Sequence, residues 1–144
     1  VTVSAHVYGQ FLNALATKTI NLSSDTLKVM LVTSAYTPNQ GSDQYASTPQ
    51  AHEATGTGYT SGGVALSSVS LSDSGDTFSL SAANTSWANI STTARYAVVY
   101  DSAPGSFATD PLICYIDFGA DQSPSGVTFE IDWSAGVVVQ ITAS

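Results

Sequence analysis

The feature that most constrains this chain is a recurrence of short β-branched and aromatic runs, each closed by a turn signal. Ala94–Asp101 reads ARYAVVYD and Leu112–Phe118 reads LICYIDF. Val127–Trp133 alternates Val127, Phe129, Ile131 and Trp133 with Thr128, Glu130 and Asp132. Successive strand side chains point to opposite faces, so this alternation predicts a strand with its apolar residues inward. Leu27–Thr33 (LKVMLVT) is nearly continuously apolar and predicts a strand buried on both faces. Thr77–Ser81 places Phe78 and Leu80 inward, after a hairpin turn at Ser72–Asp76 (SDSGD). Val137–Thr142 puts Val137, Val139 and Ile141 on one face, with Gly136 marking a hairpin to the strand before it. Strands at about 8–16-residue spacing predict an all-β fold, a β-sandwich or jelly-roll-like barrel. Residues 1–144 read as one domain, with no repeat and no linker.

One segment departs from this pattern. Val7, Phe11 and Leu15 recur at helical spacing within Ser4–Thr17, with Tyr8 and Leu12 beside them. The expectation is one short N-terminal amphipathic helix, capped by Ser4 and packed through the Val7/Phe11/Leu15 stripe. Lys18 follows its last turn, where a cation suits the helix dipole.

Composition narrows the function. The chain has 144 residues and one cysteine, Cys114, so an intrachain disulfide framework is excluded. Mid-strand placement predicts a buried, inert thiol. There are 3 basic and 11 acidic residues, for a net charge of −8. Lys18, Lys28 and Arg95 cannot form the clustered basic face that nucleic acid requires. The same imbalance argues against anionic membranes, and no run of apolar residues is long enough for a spanning helix. Serine and threonine supply 22 and 17 residues, so the expected surface is rich in hydroxyls rather than charges.

No set of residues has the spacing of a catalytic or metal-binding motif. His6 and His52 are the only histidines, and neither sits in a nucleophile motif. One cysteine and two scattered histidines make no zinc set. Asp73-Ser74-Gly75-Asp76 lacks the frame of a calcium loop and reads as a turn. Glu130 and Asp132, two residues apart on one strand face, are ~6.5–7 Å apart along the strand. That separation admits glycosidase chemistry, but solvated surface acids are the simpler reading. Asp101 and Asp117 stand where a carboxylate can accept backbone N–H groups. The glycines of Gly56–Gly63 (GTGYTSGG) lack the lysine of a phosphate loop and read as positions of positive φ and close chain approach. The expectation is therefore no enzyme, no cofactor and no metal.

Recognition has better candidates. Tyr36–Thr55 runs for about twenty residues without a clear element, and loops of that length are usually functional or disordered. Tyr36, Tyr45 and Tyr59 lie in or beside it and offer contact area with a polar tip. Val1–Val7 has β-branched residues and no evident partner, which invites strand addition through Val1 and Val3. These five residues, Val1, Val3, Tyr36, Tyr45 and Tyr59, are the candidate interface.

Four segments, in order, carry a resemblance. Asp25–Gln40 (DTLKVMLVTSAYTPNQ), Glu53–Gly63 (EATGTGYTSGG), Thr93–Asp101 (TARYAVVYD) and Tyr115–Asp121 (YIDFGAD) resemble stretches of small structural proteins of tailed bacteriophages. Ser102–Phe107 departs from the simpler Asp/Gly/Thr turn of that group. The resemblance implies a non-enzymatic virion protein, a capsid decoration or cement protein that stabilises the assembled head. It would be made in the host cytoplasm and lie on the outer surface of the capsid. Its partners would be the major capsid protein lattice and other copies of itself, without nucleic acid or membrane. The alternative is a minor tail or tail-fibre module that binds host-surface carbohydrate or receptor.

Overall fold

The computed structural model describes residues 2–144. Its elements are β1 (Ser4–Val7), α1 (Gly9–Ala16), β2 (Leu27–Val32), α2 (Ser47–Gln50), β3 (Val64–Ala65), β4 (Ser70–Ser74) and β5 (Thr77–Ser81). β6 (Thr85–Ser91), β7 (Ala94–Asp101), β8 (Leu112–Gln122) and β9 (Ser125–Ile131) follow. A 3₁₀ turn at Ser134–Gly136 leads into β10 (Val137–Thr142). The fold is all-β and sandwich-like, with three antiparallel sheets and a short helix.

A five-stranded sheet in the order β1-β8-β7-β2-β3 forms one layer. Its inner face meets a three-stranded sheet, β10-β5-β4, and a two-stranded sheet, β6-β9. Val29, Leu31, Ala97, Val99 and Ile116 from the large sheet pack there with Leu80, Trp87, Ile90, Ile131 and Val139. Phe11 and Ala14 of α1 complete this core. The opposite face of the large sheet is buried too. Met30, Val32, Val98, Tyr100, Leu112 and Tyr115 form a second cluster, covered by Tyr8, Tyr36 and Ala46. The two-sided burial read from LKVMLVT is thus present, and Tyr36 and Ala46 of the long loop help cover the outer face.

The N-terminus differs from the helical reading. Ser4–Val7 is a strand, paired antiparallel with β8 from Ser4↔Asp117 to Val7↔Cys114. The helix starts only at Gly9, with Tyr8 rather than Ser4 at its N-cap. Ser4, His6 and Tyr8 also alternate with Ala5 and Val7, and pairing with β8 selects that two-residue period over the helical one. Phe11 is buried, Leu15 half-buried and Leu12 exposed. Lys18 follows the helix in a left-handed conformation, φ 61°. Its N–H donates to Leu15 C=O at 3.2 Å, and Thr19 N–H donates to Ala14 C=O at 2.9 Å, a Schellman closure.

The last two strands correct a second expectation. β9 pairs with β6, and β10 pairs with β5, so Gly136 does not join a hairpin. β6 itself escaped the alternation because the ladder slips between Trp87 and Ile90, where Asn89 has φ 51°. The slip lets Thr85, Trp87 and Ile90 all face inward despite their uneven spacing. Val127, opposite Ile90 at this slip, is exposed rather than inward.

Asp101 closes β7 in a fully buried position. Its Oδ1 accepts from Ala103 N–H at 2.9 Å, while Oδ2 has no donor. Burial first, and the neighbouring Asp25 carboxylate with it, raise its pKa to about 7. In the unfolded chain its pKa is about 3.9. The folded state therefore holds an extra proton between these values, and this contribution to stability falls as pH rises through 7. Urea midpoints at about pH 5 and about pH 8 should show a loss on the order of 2 kcal/mol at the higher pH, and Asp101→Asn should flatten it. Separately, Lys18→Gly should raise stability by about 1 kcal/mol in the same assay, because glycine adopts the left-handed conformation without strain.

Candidate interaction surfaces

The structure places the five sequence-derived residues in three different environments. Val1 lies outside the described residues. Val3, just ahead of β1, is 62% exposed. The tyrosines differ in burial. Tyr36 is 2% exposed, and its hydroxyl donates to Asp43 Oδ2 at 2.6 Å. Tyr8 Oη lies 2.8 Å from the same hydroxyl, so Tyr8 donates into the chain. Burial, with Asp43 beside it, pushes the Tyr36 phenol well above its ordinary value. Tyr59 is half-buried. Its hydroxyl donates to Glu53 Oε1 at 2.7 Å and accepts from Leu31 N–H at 3.0 Å. Tyr45 is half-buried and bridges to Pro111 across the sheet margin. Of the three candidate interface tyrosines, Tyr36 is thus withdrawn from the surface, while Tyr45 and Tyr59 keep part of their surface. The Tyr36 ring covers the second face of the large sheet, the Tyr59 ring packs against the first core beside Trp87, and their hydroxyls find partners.

Glu53 organises this cover and was not singled out by sequence reasoning. Its carboxylate accepts from Tyr59 Oη, from Ser61 Oγ at 2.8 Å and from Gly62 N–H at 2.6 Å. Ala54 N–H donates to Leu31 C=O, so the loop is also pinned to β2. Two glycines permit the approach. A Cβ on Gly63 would lie 1.7 Å from Val29 C=O oxygen, and one on Gly56 would lie 1.9 Å from that of Ser91. Close chain approach, read from GTGYTSGG, is the role these glycines fill.

A second surface lies at the sheet margin. β1 is an edge strand of the large sheet. Tyr8 N–H donates to Ile113 C=O, and the register steps by two from there, so Ser4, His6 and Tyr8 face β8 with their backbone groups. Ala5, and Val3 before it, direct theirs outward. Beside this edge is a groove of about 410 Å³, bounded by β1, β8, β9 and the start of β10. Ile116, Phe118, Ile131 and Trp133 give it apolar walls, with Val3 at its mouth. Glu130 and Asp132 line it and are exposed. Asn84 Nδ2 donates to Glu130 Oε1 at 3.4 Å.

Among the other ionisable groups, Asp117 and His6 have side-chain partners. Asp117 accepts from Arg95 Nε at 2.7 Å and from Gly119 N–H at 2.7 Å. The Arg95 hydrogen bond holds its carboxyl below the usual carboxylate range. His6 stacks on Tyr115, centroids 5.0 Å apart, with Nε2 3.0 Å from Ser4 Oγ. His52 is exposed, and its carbonyl accepts from Thr33 N–H. Cys114 is buried, which pushes its thiol up to about 12. Among the described residues, no three His, Cys, Asp or Glu side chains gather at metal-binding range. Nor is any helix long and apolar enough to cross a membrane.

No family model, no curated protein and no solved structure matches the chain. The geometry offers two surfaces of opposite kinds: a tyrosine cover closed on itself, and an open apolar groove beside a strand edge. Glu53→Gln should lower unfolding free energy by about 1–3 kcal/mol, since a charged acceptor of three donors becomes neutral. Urea denaturation followed by tyrosine fluorescence checks it, and a change within about 0.5 kcal/mol contradicts the role given to Glu53.

Proposed function

We propose that this chain is a non-enzymatic structural protein of a tailed-phage particle, which binds the outside of the assembled head and stabilises it. The observation that carries the reading is the groove with Val3 exposed at its mouth: apolar surface next to unpaired strand backbone is suited to a protein partner. The four segments resembling phage structural proteins point to where that partner is found. Glu130 and Asp132 flank this apolar wall in the open, an arrangement suited to the rim of a contact. The tail-module alternative would use Tyr36, Tyr45 and Tyr59 for contact, and the buried Tyr36 and the bonded hydroxyl of Tyr59 give it little support.

The mechanism is linkage. A protein that binds the assembled shell and not its dissociated subunits stabilises the shell by RT ln(1 + [L]/Kd), about 2.7 kcal/mol per site at 100 Kd. Repeated over a lattice, modest sites resist internal pressure together.

Labelling intact particles with a specific antibody should mark the head lattice, and particles lacking the protein should release genome at lower temperature. Label confined to the tail, or unchanged thermal release, would refute the reading. Val3→Asp should reduce occupancy at least about tenfold while leaving the melting temperature of the free protein within about 2 °C, because Val3 is exposed.

A further inference from the structure

We propose that the groove beside β1 binds an extended partner segment with alternating apolar side chains and a flanking lysine or arginine. The apolar side chains enter between Ile131 at the end of β9, Trp133 just after it and Ile116 on β8, which line the groove. Backbone groups of the segment pair with the outward edge at Val3 and Ala5. This pairing is short. Gln40 Nε2 donates to Val7 C=O at 2.8 Å and closes the far end of the edge. A short open edge restricts the ligand to a few residues in register, which suits a docked segment better than indefinite sheet growth.

Charge decides what kind of segment it is. Glu130 and Asp132 line the groove in exposed positions, and no lysine or arginine lines it. A cation beside the apolar stretch therefore gains, and an anion loses. The same argument rules out a second copy of this chain. The copy carries a net charge of −8 and three cations. Arg95 is paired with Asp117, and Lys18 sits in a left-handed turn rather than an extended strand. Lys28 lies in Leu27–Val32, the one stretch of suitable pattern, but that strand is held between β7 and β3. The occupant is thus a different protein. The inference deepens the docking reading and rests on it only in taking the partner to be the head lattice.

The test uses the full-length protein and synthetic peptides. An acetylated, amidated heptapeptide Lys-Val-Thr-Val-Thr-Val-Lys is titrated while amide and methyl resonances are followed. Its counterpart with glutamates at both ends is titrated in parallel. The lysine peptide should shift Val3, Ala5, Ile131 and Trp133, and binding should weaken with added salt. The double variant Glu130→Gln, Asp132→Asn should bind it about fivefold more weakly, the effect of two exposed ion pairs. Val3→Asp, an exposed position that leaves the core untouched, should abolish the shifts. Equal binding of both peptides, shifts centred elsewhere, or no shifts up to about 1 mM peptide would overturn the inference. So would concentration-dependent self-association that shifts the same residues without peptide. Peptide binding in the groove with antibody label absent from heads would uphold the inference and remove the docking reading. Head labelling without peptide binding would do the reverse.

Discussion

Everything in this structure depends on burying both faces of the central strands β2, β7 and β8. A strand apolar on both sides must be covered on both sides, or it presents a large apolar surface to water. The inner face is covered by the two smaller sheets and by α1. The outer face has no second sheet, so a loop must do the work, and a loop brings unpaired backbone with it. Glu53, Asp43 and the tyrosine hydroxyls satisfy part of that need.

This requirement explains why the tyrosine-bearing loop is closed and the N-terminal edge is open. Rings recruited to cover Met30, Val32 and Val98 are not available to a ligand. The chain before β1 has no such duty. Val3 sits past the end of the sheet's covered area and is free to meet another molecule. The two candidate surfaces of the sequence are separated by what the core demands of each.

Electrostatics follows the same division. Arg95 and Asp117 form the one ion pair among the described residues, and it lies part-exposed on the outer face of the sheet. Asp101 is buried near another carboxylate with no cation beside it, and both burial and that neighbour raise its pKa. With few cations in the chain, Asp101 has no basic partner, and burial raises its pKa. The exposed acids Glu130 and Asp132 set the sign of the groove.

Strand identity was legible where period and turn signal agreed. β5, β7 and β10 fall on the residues their alternation marks, and β2 shows its two-sided burial in six consecutive residues. The glycines of GTGYTSGG were legible as close approach because only glycine tolerates it. Three things required the tertiary structure. Ser4–Val7 satisfies two periods, and only the presence of β8 alongside decides between them. β6 hides its period behind a slip at Asn89, which has meaning only against β9. The partners of β9 and β10 are set by which sheet each face must cover, and no local signal encodes that. For the same reason the sequence could name tyrosines and an N-terminal arm as candidates, but not which of them faced out. Exposure is a property of the packed whole: the residues determined which surfaces were apolar, and the arrangement of sheets determined which stayed uncovered.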